Sequence, residues 1–154
     1  ALDYVARVAR EKGAFAWNVL HLRRMPLRPV LSADTTVTID GEILGKPANH
    51  MEACAMLERL SGRTHQVLTS VALHYTDVFV QATQVSDVRF AKLTPAAIQA
   101  YCATPEPYDK AGAYGIQGLA ALFIEHIEGS LSGSRWLPVF ETAQLLQKAG
   151  VSIL

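Results

Sequence analysis

Residues His65 to Thr76 and Val78 to Ala91 form two runs that alternate between apolar and polar side chains and meet near Thr76-Asp77. Alternation with period two belongs to strands, whose successive side chains point to opposite faces, so the pattern predicts two long strands in succession. Ahead of them, Val30–Ser32 reads as a short buried strand and Thr35–Ile39 as a β-branched continuation. Asp40-Gly41, set between Thr38-Ile39 and Glu42-Ile43-Leu44, is the sequence of a two-residue hairpin. Leu122–Ile127 predicts one more strand.

Helical periodicity fills the intervals. Leu2, Val5, Ala6 and Ala9 share a stripe and predict a helix over 2–13, with Lys12-Gly13 as its close. Phe15 to Pro29 then reads as a long loop carrying Trp17, Arg23, Arg24 and Arg28. Asn49 with Glu52 three residues later is a helix start of the capping-box type, and Ser61-Gly62 stops that helix after Leu60. Thr94-Pro95 opens a helix to about Ala103, Thr104 to Pro107 reads as a loop, and Pro138 to Lys148 is a last helix ended by Gly150. Without an internal repeat or a linker, the chain predicts a single α/β domain over 1–154 with a mixed sheet.

Composition narrows the function. Half of the 154 residues are hydrophobic and 18% are charged, which specifies a packed globular chain. Fourteen basic and fourteen acidic side chains cancel, leaving no global field for nucleic acid or a membrane surface. Residues 1–30 are locally basic, with Arg7, Arg10, Lys12, Arg23, Arg24 and Arg28 against Asp3 and Glu11. That excess reads either as a solvated face or as a rim that draws in a polyanion such as a triphosphate. A nucleic-acid module has only this excess behind it and lacks an aromatic-basic stripe. No apolar run approaches the roughly 18 residues of a membrane span, and no signal peptide is visible. Cys54 and Cys102 lie outside any C-x-x-C and fall in helical patterns as small hydrophobes, as in a reducing, cytoplasmic setting. The chain opens on Ala1 inside a helical pattern, so residues are expected upstream of it.

Leu31-Ser32-Ala33-Asp34-Thr35-Thr36-Val37 is the stretch on which chemistry centres. A carboxylate leaving an apolar strand can ligate a hard divalent cation or take a proton from an attacking water; the plain alternative is an Asx-turn. Lys12, Lys46 and Lys110 can offer charge to phosphate oxygens, though each also reads as a solvated surface lysine. Asp109 to Gly118 surrounds Tyr114 and Gln117 with glycine and alanine, suiting either a tight turn or close backbone approach to a ligand. His21, His50, His65, His74 and His126 show no metal-ligand spacing and read as ordinary surface or sheet residues. Ser61, Ser70, Ser130 and Ser132 lack a G-x-S-x-G context, which argues against a serine hydrolase.

In order along the chain, S-A-D-T-x-V, G-E-I-L-G-K-P, L-S-G-R-T-H-Q-V, D-K-A-G-A-Y-G-I-Q-G and L-P-V-F-E-T resemble the Maf family of nucleoside triphosphate pyrophosphatases, from about Tyr4 to Leu146. The resemblance implies a Maf/ITPase-like fold, a twisted mixed sheet flanked by helices with a nucleotide-binding cleft. It implies hydrolysis of dTTP and UTP to the nucleoside monophosphate and pyrophosphate, with Mg or Mn, by a homodimer. Asp34 resembles the family's general base and metal contact. Lys12, Lys46 and Lys110 resemble its substrate-contacting lysines. Thr35, in A-D-T, and Gln117, in G-I-Q-G, match the pyrimidine group and not the group acting on 7-methyl-GTP, and so look like selectivity residues. Gln66 resembles a further family position of open role.

Two departures accompany the resemblance. Maf proteins begin with a strand and an S-x-S-P-R-R motif, and nothing of that kind precedes Leu2. Where the family reads G-S-Y-x-x-V-x-G-L-P, this chain reads G-S-L-S-G-S-R-W-L-P, with Trp136 at a glycine position. The alternative reading is therefore a catalytically inactive relative that binds nucleotide or a partner in septum or division control.

Overall fold

The long alternating runs are strands of one sheet. In the computed structural model, which describes residues 1–129 and 137–152, β1 spans Val30–Ile39, β2 Glu42–Leu44, β3 Thr64–Tyr75, β4 Val78–Phe90 and β5 Ile124–Glu128. Their order across the sheet is β2-β1-β3-β4-β5. Around them are helices α1 (Leu2–Leu22), α2 (His50–Leu60), α3 (Pro95–Cys102) and α4 (Val139–Lys148). The α/β class holds as the sequence predicts.

Strand direction differs from the expected mixture. Asp40, with φ 55°, and Gly41, with φ 78°, make the tight reversal that pairs β1 antiparallel with β2, Val37 opposite Leu44. Along β1, Ser32 bonds Ala72, Thr35 meets Thr69 and Asp40 meets Arg63, so partner numbers fall as β1 numbers rise. β3 and β4 are separated by Thr76 and Asp77 alone, and β4 pairs antiparallel with β5. The sheet is thus antiparallel among the described residues. The two-residue connections from β1 to β2 and from β3 to β4 permit no parallel crossover, which needs a dozen or more residues.

The first helix is longer than Gly13 suggests. α1 continues to Leu22, and only 23–29 remain as a loop. Gly13 is buried in mid-helix, where a Cβ would lie 2.6 Å from Ser32 Oγ and 2.7 Å from the His74 ring. The glycine is there for close helix–strand approach and not to end the helix. Val5 and Ala9 bury on the same face, and Ser32 Oγ donates to Ala9 O at 2.8 Å. The helix ends where Arg24 turns left-handed (φ 49°), short of Pro26.

The other helix signals act as their chemistry requires. Asn49 Oδ1 accepts from Glu52 N at 3.0 Å, and Glu52 Oε2 accepts from Ala48 N. Thr94 Oγ1 accepts from Ala97 N above Pro95. Two expected loop or strand pieces are instead 3-10 turns: Glu106–Asp109, which takes the second half of the predicted 104–107 loop, and Leu119–Phe123, which takes the first two residues of the predicted Leu122–Ile127 strand. Trp136, with its unusual position, lies outside the described residues.

Two compact units divide the chain, and β1, β3 and β4 give residues to both. The first unit, mainly 36–68 and 85–129, has a core of Val37, Leu44, Leu57, Leu60, Val88, Phe90 and Tyr101. Cys54 and Cys102 belong to that core as free thiols. The second, 2–35, 69–84 and the C-terminal residues, packs Val71 and Leu73 of the strands against Leu145 of α4.

Replacing a mid-helix glycine by alanine ordinarily stabilises a helix by up to about 1 kcal/mol. Gly13→Ala should do the opposite here, lowering stability by about 1–3 kcal/mol, because the new methyl meets Ser32 and His74 at less than contact distance. Urea denaturation of the two proteins measures this, and a stabilised variant would refute the close packing.

Candidate active site

Asp34 sits midway along β1, on the stretch that neighbours β3 and three residues before the pairing with β2 begins at Val37. Its side chain is 15% exposed, and Lys12 Nζ, from α1, donates to Oδ1 at 2.6 Å while reaching Ala33 O at 3.5 Å. The Lys12 side chain is 54% exposed, so the pair is screened and is worth no more than about 1 kcal/mol to stability. The structure therefore brings Asp34 and Lys12 together, with the lysine able to turn to another anion. Thr35, next in the strand, shares a hydrogen bond with Thr69 Oγ1 at 3.0 Å. These three residues belong to the second unit.

Lys46, Lys110 and Gln117 belong to the first. Lys110 Nζ pairs with Asp109 Oδ1 at 2.5 Å. That hydrogen bond, with the charges of Lys110 and Lys46, holds the Asp109 carboxyl below the usual carboxylate range. Lys46 is exposed just past β2. A backbone bond of 3.0 Å from Gly112 N to Gly45 O ties the two lysine-bearing segments. At that tie the chain takes two successive left-handed residues, Gly112 (φ 69°) and Ala113 (φ 62°). A Cβ on Gly112 would stand 2.9 Å from Val37, so both the backbone angle and the close approach call for glycine there.

Gln117 is exposed on the stretch after Tyr114. Glu106, which the sequence places only in a loop, organises that stretch. Its carboxylate accepts from Tyr101 Oη at 2.9 Å, Leu119 N at 2.8 Å and Ala120 N at 3.2 Å. Desolvation raises its pKa, but the donors at Leu119, Tyr101, Ala120 and Gly115 outweigh that and hold it below the ordinary value. The only sequence signal was a glutamate between two prolines a few residues ahead of a glycine-rich run.

His65 is also more than an ordinary sheet residue. It is 2% exposed, and its Nε2 lies 2.6 Å from Tyr114 Oη, with Phe90 edge-on to both rings. Tyr114 is therefore a core residue whose hydroxyl is engaged, and burial raises its pKa strongly. Gln66 Nε2 donates to Asp87 across β3 and β4 at 3.1 Å. Burial pushes His65 down to about 4, only partly offset by the Asp87 charge.

The residues can thus supply a carboxylate base, lysine charges for an anion, and a glycine-rich loop presenting a side-chain amide. Among the described residues no three His, Cys, Asp or Glu side chains cluster to hold a metal by themselves. An oxygen donor such as Asp34, completed by phosphate oxygens and water, is nevertheless the kind of set that Mg accepts. No helix among the described residues is long and apolar enough to cross a membrane.

Comparison with known proteins follows the same line. Residues 1–149 match the family described as Maf-like protein. A dTTP/UTP pyrophosphatase of Chromobacterium violaceum is 50% identical over 99% of this chain and 77% of its own length. One of Bordetella avium is 49% identical over 99% of the chain and 76% of its own length. A nucleoside triphosphate pyrophosphatase of Haemophilus ducreyi is 48% identical over the whole chain and 78% of its own length.

The buried His65 ring gives a pH signature. Folded, it stays neutral down to about 4, whereas unfolded it takes a proton near 6.5. Its contribution is complete above about pH 6.5 and is lost as pH falls toward 4, amounting to about 3 kcal/mol across that window. His65→Gln should flatten the dependence of the urea midpoint between pH 7 and 4.5, and an unchanged slope would show that His65 is not its source.

Proposed function

Because the chain belongs to the Maf-like family, we propose that it is a nucleoside triphosphate pyrophosphatase that hydrolyses dTTP and UTP to the monophosphate and pyrophosphate. The observation that carries this reading is the near-full-length similarity to proteins named for that activity. The alternative of an inactive relative finds no support among the relatives named above.

In the proposed reaction a water attacks the α-phosphorus, the bond from that phosphorus to the bridging oxygen breaks, and pyrophosphate leaves. Asp34 takes the proton of the attacking water. Lys12 neutralises Asp34 at 2.6 Å without substrate; a triphosphate offers it a stronger anionic partner, releasing the carboxylate oxygen when it is needed. Lys46 and Lys110 bind phosphate oxygens and stabilise charge building on the leaving group. Asp34, together with the phosphates, would hold a divalent cation such as Mg or Mn, which would supply further neutralisation of that charge. Thr35, braced by Thr69, and Gln117 select the pyrimidine. The family resemblance also supports a homodimer and a cytoplasmic location for the protein.

Asp34→Asn removes the base and keeps the shape. Pyrophosphate release from dTTP and UTP should fall by about 10²–10⁴-fold. Stability should change by less than about 1 kcal/mol, since the Lys12 side chain of the pair is more than half exposed. Full activity in the variant would remove Asp34 from the mechanism, and a wild type that prefers ATP over dTTP and UTP would defeat the substrate reading.

A further inference from the structure

Gln117 is the side chain offered to the base, yet it stands exposed on a stretch rich in glycine. A flexible amide discriminates poorly, because a ligand that fits must first order it. What orders this stretch is its backbone. Gly118 N bonds Gly115 O at 3.0 Å, Ala121 N bonds Gly118 O at 3.1 Å, and Leu119 N and Ala120 N point at the Glu106 carboxylate. A Cβ on Gly118 would overlap that carboxylate, so the glycine is what allows the backbone to come so close. Tyr101 Oη, from α3, donates to Glu106 Oε1 and fixes the carboxylate from the other side. Tyr101 is itself 4% exposed, a core residue that cannot drift.

We propose that Glu106 is a positioning residue for substrate selection: its carboxylate clamps the backbone of residues 115–120 and so presents the Gln117 amide in one orientation to the nucleobase. This rests on the pyrimidine-triphosphate reading for the identity of the base, and on geometry alone for the clamp. Glu106 also opens the 3-10 turn that ends at Asp109, next to Lys110. One short segment therefore carries both the anchor of the base-reading loop and a phosphate-binding lysine.

Chemistry explains why such rigidity matters. Uracil and thymine present an acceptor, a donor and an acceptor on their pairing edge, whereas cytosine presents a donor beside an acceptor. An amide held in one orientation matches one of these patterns and leaves the other unpaired; an amide free to turn matches both.

The test uses the whole chain with Glu106→Gln, which keeps the volume but directs an NH₂ or a weaker acceptor at the same donors, and Gly118→Ala, whose methyl takes the space of the Glu106 carboxylate and pushes it off those donors. Amide exchange without nucleotide should quicken at Leu119 and Ala120 in both variants. KM for dTTP should rise about tenfold with kcat altered less than about threefold, and the preference for dTTP over dCTP should fall about tenfold. Asp34→Asn, by contrast, should lose kcat without loosening those amides. A Glu106→Gln protein that keeps both slow exchange and full discrimination overturns the proposal. Faster exchange with unaltered discrimination overturns it as well, since the carboxylate would then be only structural. A wild type favouring a different triphosphate defeats the pyrimidine reading and not the clamp, which then stands or falls on whether Glu106→Gln erodes that other preference.

Discussion

Strand β1 neighbours β3 and is paired on its other edge with β2 at Val37–Ile39, and the chemistry of this chain depends on the register that this double pairing sets. A strand paired on two edges has no freedom to shift its register without turning every side chain to the opposite face. Asp34 is consequently presented at a fixed height on a fixed face, and Lys12 needs only a flexible side chain to reach it. Farther along the same strand, Val37 sets the limit that makes Gly112 obligatory, and so shapes the turn that follows Lys110.

The two groups of charged residues are built on different principles. Lys12 and Asp34 make a pair whose lysine is more than half exposed, so that it contributes little to folding and the lysine can exchange partners at small cost. Glu106 is the opposite case. Its carboxylate is surrounded by backbone N–H donors and a tyrosine hydroxyl, so that removing it leaves several donors to find new partners. The first arrangement suits a group that must change partners during a reaction, and the second suits one that must hold a loop still.

Polar side chains are buried in both units. Ser70, fully buried, receives hydrogen bonds from Gln81 and Thr83 and donates to Ala82 O, while Gln81 also reaches Ala6 O in α1. His65, like His74, Ser86 and Thr142, keeps a buried polar atom unpaired: its Nε2 is engaged by Tyr114, but Nδ1 has no partner among the described residues. Burial penalises the charged imidazolium, which is why its pKa falls so far.

Strands, turns and helix caps were legible because each is decided by neighbouring residues. Alternation gave β3 and β4, Asp40-Gly41 gave the first hairpin, and Asn49 and Thr94 gave the starts of α2 and α3. The motifs around Asp34 and Gln117 were equally legible, through their resemblance to a family. Gly13 misled, since a glycine after a lysine looks the same whether it ends a helix or lets a strand approach it; only the positions of Ser32 and His74 distinguish the two. Glu106 and His65 were missed for the same reason, their partners Leu119, Ala120 and Tyr114 lying many residues away. Local sequence thus determined which segments are strands and helices and which residue types carry the chemistry, because backbone preference and side-chain identity act at short range. Tertiary structure decided strand direction, which glycines are indispensable and which polar side chains hold the loops, because those depend on contacts that form only when distant segments meet.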